Sequence, residues 1–162
     1  MSIFSNRFFL EISFFRFFSV LVLIMGFSLF ENTALAQNIP KPVEGTWTVR
    51  DFKFSTGETL PELKLHYTTI GAPTGEPVLV LHGPTGSGIG MANPNFGGEL
   101  FGPGQPLDAN KYFIILPDAI GTGKSSKPSD GLRAKFPQYN YDDMVTAQYR
   151  LVKEHLGIKR LR

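Results

Sequence analysis

Two stretches of the sequence decide the fold: PVLVLHGPTG at residues 77–86 and YFIILPDAIGTGKS at residues 112–125. Each is a short apolar run that passes directly into a glycine-rich loop. An uninterrupted apolar run of about four to eight residues between turn signals is typical of a strand buried on both faces of a sheet. Ligands of open α/β sheets bind outside the carboxyl ends of the strands, so we expect the loops at residues 81–90 and 118–126 to lie together.

The segment before these two strands predicts a β-hairpin. Apolar and polar residues alternate over residues 46–54 and again over residues 63–68, and the turn-forming sequence STGE at residues 55–58 separates the two runs. Such alternation is the pattern of strands with one buried face and one exposed face. We therefore expect an antiparallel hairpin, with His66 on its polar face.

The segment after the second glycine-rich loop predicts an amphipathic helix. Asn140 is a favourable N-cap, Asp142 and Asp143 suit the electropositive first turn, and Gly157 is a favourable stop. The apolar residues recur at helical spacing, which predicts one stripe that faces the core. This stripe consists of Val145, Tyr149, Val152 and Leu156.

The amino terminus has the organisation of a secretory signal peptide. Arg7 and Arg16 lie in a first, charged part, and an uncharged run of 14 residues follows at 17–30. The alternative is a membrane-spanning helix, which needs roughly 20 apolar residues, and Glu31 ends the run before that length is reached. We predict cleavage after Ala36 and a periplasmic or secreted protein with no stable membrane anchor.

The predicted organisation is a signal peptide at residues 1–36, a linker at residues 37–45 and one domain at residues 46–162. Cysteine is absent, which excludes a thiol nucleophile, a disulfide framework and a lipid-modified cysteine. The net charge is +2 without a long basic run, so no nucleic acid is expected as a partner. The residues imply no metal or organic cofactor.

The loop at residues 118–125 invites comparison with phosphate-binding loops because a Gly-Lys-Ser sequence follows a strand. A P-loop requires glycine where this sequence has Asp118, whose carboxylate would repel a phosphate. A dinucleotide-binding fingerprint also fails, since the third glycine is missing after Gly121 and Gly123. We therefore do not expect nucleotide binding.

A strand ending in His82-Gly83, followed by a strand ending in the Asp-x-x-Gly-x-Gly-x-Ser pattern of residues 118–125, resembles α/β-hydrolase-fold proteins. The sequences ELFGPGQPLD at residues 99–108 and YNYDDMV at residues 139–145 resemble the homoserine O-acetyltransferase-like branch, which contains acyltransferases and hydrolases. The resemblance implies the N-terminal portion of an α/β-hydrolase fold: an antiparallel hairpin that leads into a parallel sheet flanked by helices. It also implies a small-molecule acyl ester or acyl-CoA as substrate, no cofactor, and it allows a dimer.

The serine nucleophile of this family is missing from the sequence. The resemblance implies a serine on a sharp Gly-x-Ser-x-Gly turn, oriented with an aspartate and a histidine that come later in the chain. Neither Ser87 nor Ser125 has both flanking glycines, and the family's turn would follow the helix at residues 141–156. We expect no catalytic residue in this chain, and no activity from it alone. The alternative is a non-enzymatic truncated fragment or a partner-dependent binding module.

The resemblance further implies an oxyanion loop at His82, Gly83 and Pro84, in which the backbone amide after the His-Gly pair donates to the substrate. Pro84 has no N–H, so the loop is compromised. Thr85 or Gly86 would have to supply the amide instead. His82 is expected to be a structural residue of this loop.

The second loop is expected to form the edge of the pocket with Asp118, Gly121, Gly123 and Ser125. We expect Asp118 to fix the Gly-x-Gly turn by accepting hydrogen bonds from backbone amides. The alternative, a catalytic pair of Ser125 with Lys124, lacks an oxyanion-binding turn around the serine.

Overall fold

Residues 39–162 are described by the structure, a computed structural model, and the predicted signal peptide lies outside them. Their sheet has four strands, in the spatial order β1-β2-β4-β3. The strands are β1 (Val43–Lys53), β2 (Thr59–Ile70), β3 (Glu76–Leu79) and β4 (Tyr112–Pro117).

β1 and β2 form the predicted antiparallel hairpin, with Val43 opposite Thr69 and Lys53 opposite Thr59. β1 begins at Val43, so the last three residues of the predicted linker at 37–45 belong to the sheet. The physical reason is the length of β2, whose final residues offer pairing partners to residues 43–45. That boundary of the linker was therefore wrong.

β4 joins the hairpin to the parallel part of the sheet. It runs antiparallel to β2 and parallel to β3, with Val78 opposite Ile114. β4 is almost entirely buried, as its apolar sequence predicts, whereas β3 is only partly buried. The expectation that both strands are fully buried fails for β3 because, among the described residues, it is an edge strand with one neighbour.

Two short helices follow β3, at α1 (Gly88–Met91) and α2 (Pro94–Gly97). The long helix is α3 (Tyr141–Arg150), and it continues into a π-helical turn at Leu151–His155. The predicted cap is confirmed: the Asn140 side chain accepts a hydrogen bond from the Asp143 amide, and the Asp143 carboxylate accepts one from the Asn140 amide.

The predicted stripe is only half buried: Val152 is 5% exposed and Leu156 packs against the larger apolar cluster, but Val145 and Tyr149 face away from it. Val145 is 62% exposed and Tyr149 is 60% exposed, whereas Ala147 and Leu151 are buried against the hairpin. Helical spacing identifies sets of residues that share a face, but it does not say which face meets the core. Here the face that contains Ala147 packs against the hairpin.

Two apolar clusters form the core. The larger one joins the hairpin to Ile120, Phe136 and α3, and it contains Val49, Phe52, Phe54, Leu60, Leu63, Leu65, Ala147 and Leu151. The second joins the end of β2 and the middle of β4 to the segment between β3 and β4, and it contains Ile70, Phe101, Ala109, Ile114 and Leu116. Burying such side chains contributes about 1.5–3 kcal/mol each. One cluster therefore holds α3 against the sheet, and the other holds the segment between β3 and β4 against it.

Candidate functional site

The two glycine-rich loops meet at a cavity of about 540 Å³. The loop after β3 contributes residues 82–85, and the loop after β4 contributes residues 119, 120 and 122. The start of α3 and the residues before it close the third side with residues 139–141 and 144. The cavity therefore lies outside the carboxyl ends of β3 and β4, where the sheet topology predicts a ligand site.

His82 connects the two loops. Its Nδ1 lies 2.7 Å from the carbonyl oxygen of Gly83, and its Nε2 accepts a hydrogen bond of 3.1 Å from the amide of Ala119. A neutral ring protonated on Nδ1 fits both contacts, since a carbonyl can only accept and an amide can only donate. Nε2 thus joins the two loops and Nδ1 contacts the backbone of its own loop, in keeping with a structural role.

The backbone after His82 is unusual. Pro84 lines the cavity without an N–H, and the Gly86 amide donates to the carbonyl of Gly83 at 3.1 Å. Thr85 lies between them with φ of 64°, a left-handed conformation that a β-branched residue rarely adopts. Thr85 and Gly86 carry the two amides that could replace the missing amide of Pro84. Of these, the Gly86 amide already donates its hydrogen bond to the Gly83 carbonyl.

Asp118 is buried behind the cavity wall, at 2% exposure. Its Oδ1 accepts from the Gly88 amide at 2.6 Å, and its Oδ2 accepts from the Lys124 amide at 2.7 Å. The Gly-x-Gly turn needs its glycines, because a Cβ on Gly123 would collide with the Asp118 carboxylate and one on Gly121 with the Tyr139 hydroxyl. Asp118 therefore fixes the turn by accepting backbone hydrogen bonds, and it also ties down the start of α1.

The serines near the site are engaged in structural hydrogen bonds. Ser125 is fully buried; its hydroxyl donates to the Asp118 carbonyl at 2.8 Å and accepts from the His66 amide at 2.9 Å. The Ser126 hydroxyl accepts from the Lys64 amide at 2.9 Å. Ser125 thus lies behind the wall and not at the expected pocket edge, and its burial speaks against a reactive pair with Lys124.

His66 does not lie on an exposed polar face, as its place in the hairpin predicted. It is 4% exposed, because the loop after β4 runs along β2: the Asp118 amide donates to the His66 carbonyl at 2.9 Å. Its ring contacts Asp118 on one side and Glu44 of β1 on the other. The hydrogen bond from the Lys124 ammonium lowers the pKa of the Glu44 carboxyl.

The apolar wall of the cavity escaped the sequence analysis. Ile120, Tyr139 and Met144 line it, and Tyr141 lies beside them at 82% exposure. Ile120 lies in the loop after β4, whereas the other three lie within residues 139–144, so no single local pattern joins all of them. The sequence contains one signal for this wall: Ile120 is an apolar residue inside a loop, between Asp118 and the Gly-x-Gly turn.

Two features are absent from residues 39–162. No group of three or more metal-ligating side chains is placed to hold a metal ion in this range. Within the same range no helix has the length and apolar character needed to cross a membrane.

The sequence is similar to curated acyltransferases, although no protein-family model matches it. It is 34% identical over 131 residues to a homoserine O-acetyltransferase of Haloferax prahovense, covering 70% of this chain and 31% of that protein. It is 38% identical over 123 residues to a serine O-succinyltransferase of Emericella nidulans, covering 65% of this chain and 23% of that protein. The chain thus spans about a third or less of the length of these curated relatives.

Solved structures show the same fold. A homoserine O-acetyltransferase from Staphylococcus aureus matches with a TM-score of 0.65 at 24% identity, over 75% of this chain and 38% of that one. The acetyl esterase MekB matches with a TM-score of 0.64 at 27% identity, over 74% of this chain and 35% of that one.

Together with the cavity at the strand ends, these matches establish the α/β-hydrolase fold, of which residues 39–162 form a part. The expected hairpin, parallel pair and flanking helix are all present in that part. Curated homoserine O-acetyltransferases at 31–35% identity match 70–72% of this chain and support its resemblance to the homoserine O-acetyltransferase-like branch.

Proposed function

We propose that this chain provides one wall of an acyl-binding site in an exported acyltransferase or esterase, and that by itself it does not perform acyl transfer. The observation that carries the proposal is a cavity lined by residues 82–85, 119, 120 and 122 with no serine in its wall. A small-molecule acyl ester or acyl-CoA is the proposed substrate class, since the similar proteins include acetyl- and succinyltransferases and an acetyl esterase.

Export is part of the proposal and rests on the sequence of residues 1–36, with cleavage after Ala36. Inactivity rests on the absence of a Gly-x-Ser-x-Gly sequence and on the structural engagement of Ser125 and Ser126. The missing amide at Pro84 adds to it, because losing one oxyanion donor costs about 2.7–4 kcal/mol of transition-state stabilisation.

The test is turnover of a short nitrophenyl ester, combined with labelling by a serine-reactive fluorophosphonate. We expect hydrolysis no faster than in protein-free buffer and no labelled serine. A labelled Ser87, Ser125 or Ser126 together with turnover would contradict the proposal. Ser125→Ala and Ser126→Ala variants would then identify the reactive hydroxyl.

A partner-dependent binding role is the second candidate, favoured by one observation. An apolar groove of about 460 Å³ runs between β3 and α3, and Leu81, Val145 and Tyr149 in it are exposed. An exposed apolar patch of this kind marks an association surface. A concentration-dependent dimer in sedimentation experiments that Val145→Lys abolishes would support this role, and a monomer at all concentrations would exclude self-association.

A further inference from the structure

The cavity at the ends of β3 and β4 has a neutral and largely apolar wall. Pro84, Ile120 and Met144 supply apolar side chains, and Tyr139 and Tyr141 supply two aromatic rings. Among residues 39–162, no lysine, arginine, aspartate or glutamate lines the cavity. Its volume of about 540 Å³ lies within the range of about 300–1,000 Å³ that is usual for small-molecule pockets, so it has room for more than an acetyl group.

The polar side chains of the wall are occupied by contacts within the protein. The Thr122 hydroxyl donates to a backbone carbonyl of its own loop at 3.0 Å. The Asn140 side chain donates to the Ser55 hydroxyl at 3.1 Å and accepts from the Asp143 amide at 3.2 Å. His82 uses both of its ring nitrogens in contacts to the backbone. These groups therefore leave few hydrogen bonds for a charged ligand.

The charged groups beside the wall are also engaged. The Asp118 carboxylate accepts from two backbone amides, and the Asp143 carboxylate does the same at the start of α3, where it complements the positive end of the helix dipole. The Lys124 ammonium pairs with Glu44 of β1. A ligand that brought its own ammonium or carboxylate to this wall would find no paired charge there, and burying an unpaired charge is costly.

We infer that the cavity accepts esters whose alcohol part is uncharged and apolar, such as alkyl and aryl acetates, and discriminates against the zwitterionic ester of an amino acid. This inference rests on the proposed acyl-binding function and names the substrate class of the same site. Tyr141 is the specificity-determining residue that is best placed for a test. It lines the cavity and is 82% exposed, so a substitution there changes the wall without disturbing the core.

Two acetyl esters of equal chain length test the inference by NMR titration of the isotope-labelled protein at neutral pH. Propyl acetate is uncharged, whereas O-acetylhomoserine carries an ammonium and a carboxylate on the third carbon of its alcohol part. We expect both esters to shift the signals of Ala119, Thr122 and Met144. The Kd of propyl acetate should be roughly tenfold or more below that of O-acetylhomoserine, because only the second ester must lose hydration of two charges.

Tyr141→Lys adds a cation to the wall and should reduce the ratio of the two Kd values, because the lysine ammonium can pair with the carboxylate of O-acetylhomoserine. Tyr149→Lys is the matched control. It makes the same substitution at an exposed tyrosine of the same helix, but Tyr149 lines the groove beside β3 and not the cavity. This variant should leave the ratio unchanged.

Equal Kd values for the two esters, or tighter binding of O-acetylhomoserine, would overturn the inference and leave the acyl-binding function standing. If neither ester shifts the cavity signals, the acyl-binding function itself fails and the inference fails with it. An equal change of the ratio in Tyr141→Lys and Tyr149→Lys would overturn the assignment of Tyr141.

Discussion

Pro84 and Thr85 combine two unusual backbone features on one wall of the cavity. Proline removes the amide that the family resemblance places there, and the next residue adopts φ of 64°. A left-handed conformation costs an L-residue roughly 1–2 kcal/mol, and the cost persists only where the surrounding structure imposes it. The Asp118 hydrogen bond to Gly88 and the His82 contacts to Gly83 and Ala119 supply that constraint on either side of Thr85.

Thr85→Gly is expected to stabilise the protein. Glycine relieves strain of roughly 1–2 kcal/mol. It loses about 0.4–1 kcal/mol through the greater freedom of the unfolded chain, so the free energy of unfolding should rise by up to about 1.6 kcal/mol. Denaturant unfolding measures this difference. Thr74→Gly is the control, because Thr74 is also exposed but lacks a positive φ, and it should be neutral or destabilising. A destabilised Thr85→Gly would show that the backbone is not strained at this position.

At the scale of elements, α3 is tied to the hairpin through Asp143. This carboxylate accepts from the Asn140 amide and from both the amide and the hydroxyl of Ser55, at 2.7–3.0 Å. Burial acts to raise the pKa of Asp143, but these hydrogen bonds outweigh it and the pKa is lowered. The N-cap of the helix and the turn between β1 and β2 therefore share one anchor.

Asp143→Asn should destabilise the protein by about 0.5–2 kcal/mol at neutral pH, the range found for lost helix caps. Because the folded-state pKa is depressed, the contribution of the carboxylate is present above the unfolded value of about 3.9 and is lost as the pH falls through the folded value. Thermal unfolding at neutral and acidic pH checks both points: the gap between wild type and Asp143→Asn should close in acid. Asp142→Asn, at an exposed neighbour, should have little effect, and an equal effect of both variants would refute the shared anchor.

The sequence was most informative about local elements. The hairpin, β4 and the Asn140 cap follow from alternation, apolar runs and capping chemistry, and the resemblance of residues 82–83 and 118–125 identified the fold. The errors arose where long-range packing decides. His66 follows the polar alternation of the hairpin, yet the loop after β4 covers it. Val145 belongs to the predicted helical stripe, yet it is exposed whereas Val152 of the same stripe is buried.

The site was predictable only in outline for the same reason. Strand ends indicate where loops converge, so the two loops could be placed together before the structure was known. The wall formed by Ile120, Tyr139 and Met144 could not, because its members are brought together by α3 and not by spacing in the sequence. The Glu44–His66–Asp118 cluster likewise joins three strands or strand ends.

At the scale of the whole molecule, the cavity depends on contacts between parts that are distant in the chain. One apolar cluster holds α3 on the hairpin, and the other holds the segment between β3 and β4 against the sheet. The cavity lies where the loop after β3 meets the loop after β4. Its central predicted property is that it accepts a short acyl group without a serine that attacks it.

An NMR titration of the isotope-labelled protein with a short acetyl ester tests this property most directly. The account predicts shift changes at residues that line the cavity, including Thr85, Ala119, Thr122 and Met144, while the ester remains intact in the same spectra. Shift changes at Val145 and Tyr149 in the groove beside β3, or acetate released faster than in a protein-free sample, would contradict it.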